Sequence, residues 1–384
     1  LTGLGVEAAS ALSIVLVYRS NKVINFAVGS IGLVGSGLLV MLTNNFGVPF
    51  WPAVLVAIAA GLLWGAIVEM IVIRRLFRAP RVIVLVATIG VSQLSEAMLL
   101  ALPDAEHPRE PYPLFIGRSF EIGSATVKGS QLAVFIVTPL LAVGLTWFLT
   151  RTLTGRTVRA AAGNPDLARV YGINPKRLST LVWAIGGVIG TVSMILLGGI
   201  NTSAVQLGGL GPSSMLRAMV AALIARFTSF RIALGAALVI GMTEELFRFN
   251  LLDSPGLLDV VLLLVVLVSV GTLARERVAG DAVYAFSPKV DALPERLRDR
   301  FWLRHIDRLT LSVPLVITIA LPVVFAVPSR QVLYASIAAF AICALSMTVL
   351  TGWAGQLSLG QMAFAGLGAY LAAAFTRGLE IDWT

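Results

Sequence analysis

Five stretches of this chain approach or exceed twenty residues with at most one charged side chain each: Trp51 to Ile73, Val82 to Leu102, Leu132 to Leu149, Leu178 to Ile200 and Leu257 to Leu273. About twenty apolar residues are what an α-helix needs to cross the roughly 30 Å hydrocarbon core of a bilayer. Hydrophobic residues make up 57% of the 384 and charged residues only 13%, with a mean hydropathy of +0.90. A soluble protein cannot hide that much apolar surface, so lipid is the solvent for most of this chain. The expected fold is all-α, a polytopic integral membrane protein.

One short motif occurs twice. Asn25-Phe26-Ala27-Val28-Gly29 is followed by Gly35 and Gly37, and Gln356-Leu357-Ser358-Leu359-Gly360 by Gly366 and Gly368. Sliding one copy onto the other superposes Gly29 on Gly360, Gly35 on Gly366 and Gly37 on Gly368. Self-similarity at long period in an apolar chain marks a transporter built from pseudo-symmetric repeats. The second copy begins near the end of the sequence, which suggests one complete membrane module followed by the opening of another.

The net charge of +9 sits in short loops between apolar runs, where orientation in the membrane explains it and nucleic acid is not needed. Residues 74–81 carry four arginines and no acid. Residues 103–130 carry three basic and four acidic groups, and residues 151–177 carry six basic groups against Asp166 alone. The alternation puts the first and third of these loops in the cytoplasm and the second outside. It predicts nine spans within residues 1–274, with 4–17 and 213–227 unusually short and 4–17 the first. Residues 275–309 then form a cytoplasmic linker of mixed charge, and 310–384 open a second membrane domain with spans near 311–327, 332–350 and 359–375. The run Gly186-Gly187-Val188-Ile189-Gly190 is a helix-packing face, because small residues let backbones approach. One cysteine, Cys343, and two distant histidines, His107 and His305, leave no disulfide framework and no metal or nucleophilic site, so no cofactor or catalytic residue is expected.

The most distinctive loop element is Gly155 to Leu178, GRTVRAAAGNPDLARVYGINPKRL. Asn164 is a helix N-cap, Pro165 suits the first turn, Asp166 meets the positive end of the dipole, and Gly172 closes the helix in a left-handed C-cap. A helix of about seven residues is unstable alone in water and must pack on something. It is either an ordinary interfacial helix or a plug that fits a motor subunit.

Polar groups inside spans mark either helix–helix hydrogen bonds or a substrate path. Thr88, Ser92 and Ser95, with Glu96, fall on one face of the fourth span. Asn25 and Ser358 head corresponding helices in the two repeats, as caps or as places where free backbone N–H groups receive a carboxylate. Glu69, Glu96, Glu244 and Glu245 are carboxylates within apolar runs, with Glu245 and Arg248 spaced to pair. Asn201, Thr202, Ser203 and Gln206, just beyond the sixth span, suit a docking or substrate-access region.

Several of these stretches resemble the permeases of branched-chain amino acid ABC importers. Val23 to Gly29 is similar to the start of the first permease subunit of that family, Glu69 to Arg78 to its third span, and Ala87 to Ser92 to its fourth. Asn164, Asp166, Arg169, Tyr171, Gly172 and Asn174 fall in what resembles its coupling segment. Gly352 to Gly360, continuing through Tyr370, resembles the start of the second subunit. Three positions depart from the pattern: Arg75 replaces a proline, Val28 stands where histidine is common, and Ala225-Arg226-Phe227 replaces a glycine pair. The resemblance implies a permease in a bacterial inner membrane, with separate ATP-binding subunits on its cytoplasmic loops and an extracytoplasmic binding protein that delivers a branched-chain or other neutral amino acid. No phosphate-binding Gly-x-x-x-x-Gly-Lys motif is present, so ATP hydrolysis is expected in other chains. The alternative is an ion-coupled secondary transporter working through Glu96 or Glu244. An embedded enzyme lacks a convergent cluster of chemistry-bearing residues.

Overall fold

The computed structural model of the protein describes residues 3–76, 79, 81–103, 120–122, 125–127, 129–198, 212–250, 257–276, 305, 312, 315–317, 319–320, 330–352, 358 and 360–379. The proposed linker (apart from its first two residues and His305), most of the span near 311–327, and the group Asn201, Thr202, Ser203 and Gln206 lie outside them. The chain divides into two compact units, Leu1–Ala279 and Gly280–Thr384.

In the first unit the helices are α1 (Gly3–Asn21), α2 (Val28–Phe46), α3 (Phe50–Ile71), α4 (Arg81–Ala101), α5 (Gly129–Arg151), α6 (Leu153–Gly163), α7 (Pro165–Val170), α8 (Pro175–Gly198), α9 (Pro212–Ile224), α10 (Phe230–Asn250) and α11 (Leu257–Glu276). A small antiparallel hairpin, β1 (Phe120–Ile122) with β2 (Ala125–Val127), precedes α5 and is the one departure from an all-helical chain among the described residues. Each of the nine expected spans coincides with a helix. Five of those helices are long and apolar enough to cross a membrane: α2, α3 with its short 3-10 extension to Leu76, α4, α5 and α8. The two amphipathic pieces α6 and α7 lie between α5 and α8.

α1 shows why length and hydropathy alone misjudge a span. It carries Glu7 and Arg19, yet Ala8, Ala9, Ala11, Leu12, Ile14, Val15, Leu16 and Val17 are all fully buried. It runs through the middle of the unit against α5, α8, α9 and α10, and at 19 residues it is longer than the expected 4–17.

α3 turns most of its large side chains outward. On α3 the buried positions are Ala53, Ala57, Gly61, Gly65, Val68 and Glu69, while Leu55, Leu62, Leu63 and Ile67 are exposed. In lipid nothing is gained by hiding leucine from a solvent equally apolar, so small residues take the contact face and let the backbones close in. The glycines of α8 divide this work. A Cβ on Gly187 would strike the Gly61 carbonyl of α3, one on Gly190 would meet Val28 O and Gly32 of α2, and one on Gly186 would approach Ser13 of α1. The stripe expected as one packing face therefore serves three neighbours.

The turn between α9 and α10 explains one departure from the family pattern. Arg226 and Phe227 hold φ of 53° and 54°, a left-handed conformation that glycine adopts readily and that costs other residues about 1–2 kcal/mol each. The Phe227 ring offsets that by packing on Tyr18 at 4.5 Å.

In the second unit, α12 (Gln331–Gly352) is long and apolar enough to cross a membrane, and α13 (Gln361–Leu379) carries a shorter apolar stretch. Gln361 Nε2 donates to Ser346 Oγ at 2.6 Å and ties the two together. The repeated motif leads into a 19-residue helix in both units, α2 and α13.

Candidate functional site

Three places gather the chemistry of the first unit. One is a polar seam between the head of α2 and one face of α4. The chain enters α2 through a tight turn in which Asn25 Oδ1 accepts the Ala27 N–H at 2.9 Å. Phe26 N–H donates to Thr88 Oγ1 at 3.2 Å, and Thr88 donates on to Leu85 O. One helical turn further along α4, Ser92 Oγ lies 2.6 Å from Ser30 Oγ. Both hydroxyls also lie within reach of Glu96 Oε1, Ser30 at 3.0 Å and Ser92 at 3.2 Å; with one proton each, one serine donates to the other, which donates to the carboxylate. A carboxylate that accepts hydroxyl donors keeps lone pairs for a further donor, such as an ammonium group.

The seam sorts the residues picked from sequence. Asn25, Thr88, Ser92 and Glu96 come together there, while Ser95 does not. Its hydroxyl accepts from Trp64 Nε1 at 2.9 Å and donates to Val91 O, so it faces α3. Asn25, Thr88 and Ser95 are buried, whereas Ser92 and Glu96 are only partly so. Ser358 is partly buried and precedes α13 in the second unit. Ser30 escaped notice in the sequence, although it follows Gly29 directly and sits two residues before Gly32, whose backbone packs on Gly190 of α8. A polar residue one step inside a glycine-rich helix head is the signal that points to it.

A second place is the end of the bundle where α1, α3 and α5 finish and α2, α4 and α8 begin. Asn21 Nδ2 donates to Ser179 Oγ at 2.8 Å, joining the end of α1 to the start of α8. Glu69 of α3, almost fully buried, accepts from Arg74 at 3.1 Å and from Thr180 at 2.6 Å. α7 projects here with the caps its sequence specifies. Asn164 Oδ1 accepts from Asp166 N and Leu167 N at 3.1 and 2.9 Å. Gly172 takes φ +77°. Ile173 N–H returns to Ala168 O and Gly172 N–H to Arg169 O, the pair of bonds of a Schellman closure. α7 spans six residues, one fewer than expected. Asn164, Asp166, Arg169, Tyr171, Gly172 and Asn174 are all exposed. Leu167, Val170 and Tyr171 stand out most, at 53%, 82% and 77% exposure. The apolar pair Leu167 and Val170 was not singled out from sequence, because the capping pattern drew attention to polar positions.

A third cluster lies inside the bundle. Arg217 of α9 contacts Glu7 of α1 at 3.2 Å and Glu244 of α10 at 2.8 Å. Glu244 is buried and Glu245 partly exposed, and the side chain of Arg248 lies outside the described residues. Among the described residues no group of three His, Cys, Asp or Glu side chains is placed to hold a metal ion.

Residues 6–270 match the family of branched-chain amino acid transport system permease components. The chain belongs to that family. The branched-chain amino acid permease BraD of Pseudomonas aeruginosa is 28% identical over 254 residues, 62% of this chain and 80% of BraD. LivH of Escherichia coli, another high-affinity branched-chain amino acid permease, is 28% identical over 255 residues with the same coverage. A probable LivH of Methanocaldococcus jannaschii is 25% identical over 249 residues, 64% of this chain and 78% of that protein. No solved structure matches. The family match takes in α1 through most of α11 and ends before the second unit begins. The protein is therefore a multi-pass membrane permease rather than an enzyme.

Proposed function

We propose that this permease carries branched-chain or closely related neutral amino acids inward across the plasma membrane, driven by separate ATP-binding subunits that dock on α7. Leu167, Val170 and Tyr171 carry this reading. They form an exposed apolar tip on a short, doubly capped helix beyond the ends of the membrane spans, which suits a hydrophobic socket on a partner. The arginine-rich ends of α3 and α5 put this side in the cytoplasm by the positive-inside rule. On the pathway, Ser92 and Glu96 present the polar face of α4, and the Glu96 carboxylate receives the substrate ammonium. A binding protein outside delivers the substrate, and Asn25 and Ser358 head the equivalent helices of the two modules. ATP-driven closure of the motor pair moves α7 and shifts the population between inward- and outward-facing states.

The test is co-purification from membranes. Native chain is expected to bring down an ATP-binding subunit, and Leu167→Ser with Val170→Ser to lose it while the permease itself remains folded and inserted. Uptake of leucine, isoleucine and valine should fall in parallel. If uptake proceeds with no ATP-binding subunit and collapses instead in Glu96→Gln or Glu244→Gln, the motor reading fails and ion coupling replaces it.

A further inference from the structure

Beside α7 lies an open cleft of about 620 Å³, lined by Arg74, Arg75, Arg169, Gly172, Ile173, Asn174, Pro175 and Lys176. Four of these side chains are cationic. Two acids answer them, Glu69 on Arg74 and Asp166 on Arg169, so the cleft keeps an excess of two positive charges. Glu69 and Thr180 hold Arg74 in place, and Asn174 caps the start of α8 by accepting from Lys176 N and Arg177 N. Arg74 is thus built into the packing of α3 on α8, while Arg75, Arg169 and Lys176 are exposed around it.

The depth of the cleft identifies its ligand. Arg74 and Arg75 belong to the last turn of the span Phe50–Leu76, and Pro175 and Lys176 open the span Pro175–Gly198. Two apolar helices that run antiparallel therefore end together at this cleft, which places it at the bilayer boundary. One or two turns deeper, Met70, Ile71 and Leu181 expose apolar side chains. A cationic cleft at the ends of two helices that expose apolar side chains one or two turns away fits an amphipathic molecule, with a phosphodiester for the arginines and acyl chains along the helix flanks. A docking protein is matched instead by the convex tip of α7.

We propose that this cleft binds the headgroup of an anionic phospholipid. The lipid bridges the end of α3 to the segment that joins α7 to α8 and holds α7 at a fixed height over the membrane. The inference rests on the membrane placement of α3 and α8 and is independent of the direction of transport or the substrate.

The experiment titrates fluorescent phosphatidylglycerol into the full chain in detergent. Saturable binding is expected, competed by unlabelled phosphatidylglycerol but not by phosphatidylcholine or by millimolar inorganic phosphate. Arg75→Gln with Lys176→Gln should weaken it roughly thirtyfold, from about 1 kcal/mol per charge at a membrane surface. Arg151→Gln with Arg156→Gln, the same charge loss outside the cleft, should stay within about twofold. Arg75→Lys with Lys176→Arg should bind nearly as the native chain does, which separates charge from misfolding. Equal loss in both glutamine pairs, or competition by phosphatidylcholine, overturns the proposal. Displacement by inorganic phosphate makes the cleft a free-anion site. Unchanged lipid affinity in the Arg75 and Lys176 pair, with loss of a co-purifying ATP-binding subunit, makes it part of the protein interface.

Discussion

Arg217 and Arg169 both sit in ion pairs, but physics assigns them very different weights. Arg217 is mostly buried and faces two enclosed carboxylates on different helices, Glu7 and Glu244. Removing it takes the cation from two enclosed carboxylates, and breaking a buried ion pair costs roughly 3–5 kcal/mol. Arg169 pairs with an Asp166 that is largely in solvent, and exposed pairs contribute about 0–1 kcal/mol. Arg217→Leu is therefore expected to lower the melting temperature of the detergent-solubilised protein sharply, while Arg169→Ala leaves it almost unchanged. Equal shifts in the two variants would show that the cluster within the bundle is solvated. The seam residues follow the same logic, since Ser30, Ser92 and Glu96 are partners of one another on α2 and α4.

At the scale of the helices, close approach governs. α2, α3 and α8 interlock through Gly32, Gly35, Gly61, Gly65, Gly187 and Gly190, where an added Cβ meets backbone or Thr191 rather than a side chain able to move away. Gly→Ala in an isolated helix gains about 1 kcal/mol of propensity. At Gly187 the new methyl runs into the Gly61 carbonyl, and overpacking of this kind costs about 1–3 kcal/mol. The clash should win, so Gly187→Ala lowers thermal stability and the folded yield on size exclusion. Gly144→Ala, with nothing within 4 Å of its Cβ, should match or exceed the native chain. If Gly187→Ala proved the more stable of the two, the three-helix contact would be looser than its geometry indicates.

Within the first unit, alternation of helix direction brings the ends of the described membrane helices to one of two sides. Asn45 of α2 reaches Pro103 O after α4 at one end, and Asn21 of α1 reaches Ser179 of α8 at the other. In a chain carrying Cys343→Ser, Phe46→Cys and Val170→Cys report those two ends, because both side chains are well exposed. A membrane-impermeant maleimide added outside intact cells is expected to label Phe46→Cys and to reach Val170→Cys only after the membrane is opened. The reverse pattern would invert the orientation and remove α7 from the side where ATP is available.

The placement of the nine spans of the first unit, the caps of α7 and the basic loops were legible in the sequence because each is set locally, whereas the separate helix α6 was not expected. A span needs only length and apolarity, a cap needs a residue within three positions of its N–H groups, and loop charge needs no partner at all. The enclosure of α1, the turning of Ser95 toward Trp64, the meeting of Ser30 with Ser92 and Glu96, and the joining of Glu7, Arg217 and Glu244 were settled only by tertiary structure. Those contacts link residues on different helices, and they depend on how each helix is rotated about its axis. In lipid, hydropathy says little about that rotation, since an outward leucine and an inward one meet surroundings of similar polarity. Small residues fix it instead, by permitting a close approach on one face and nowhere else, and a glycine stripe shows which partner it fits only once the helices are packed.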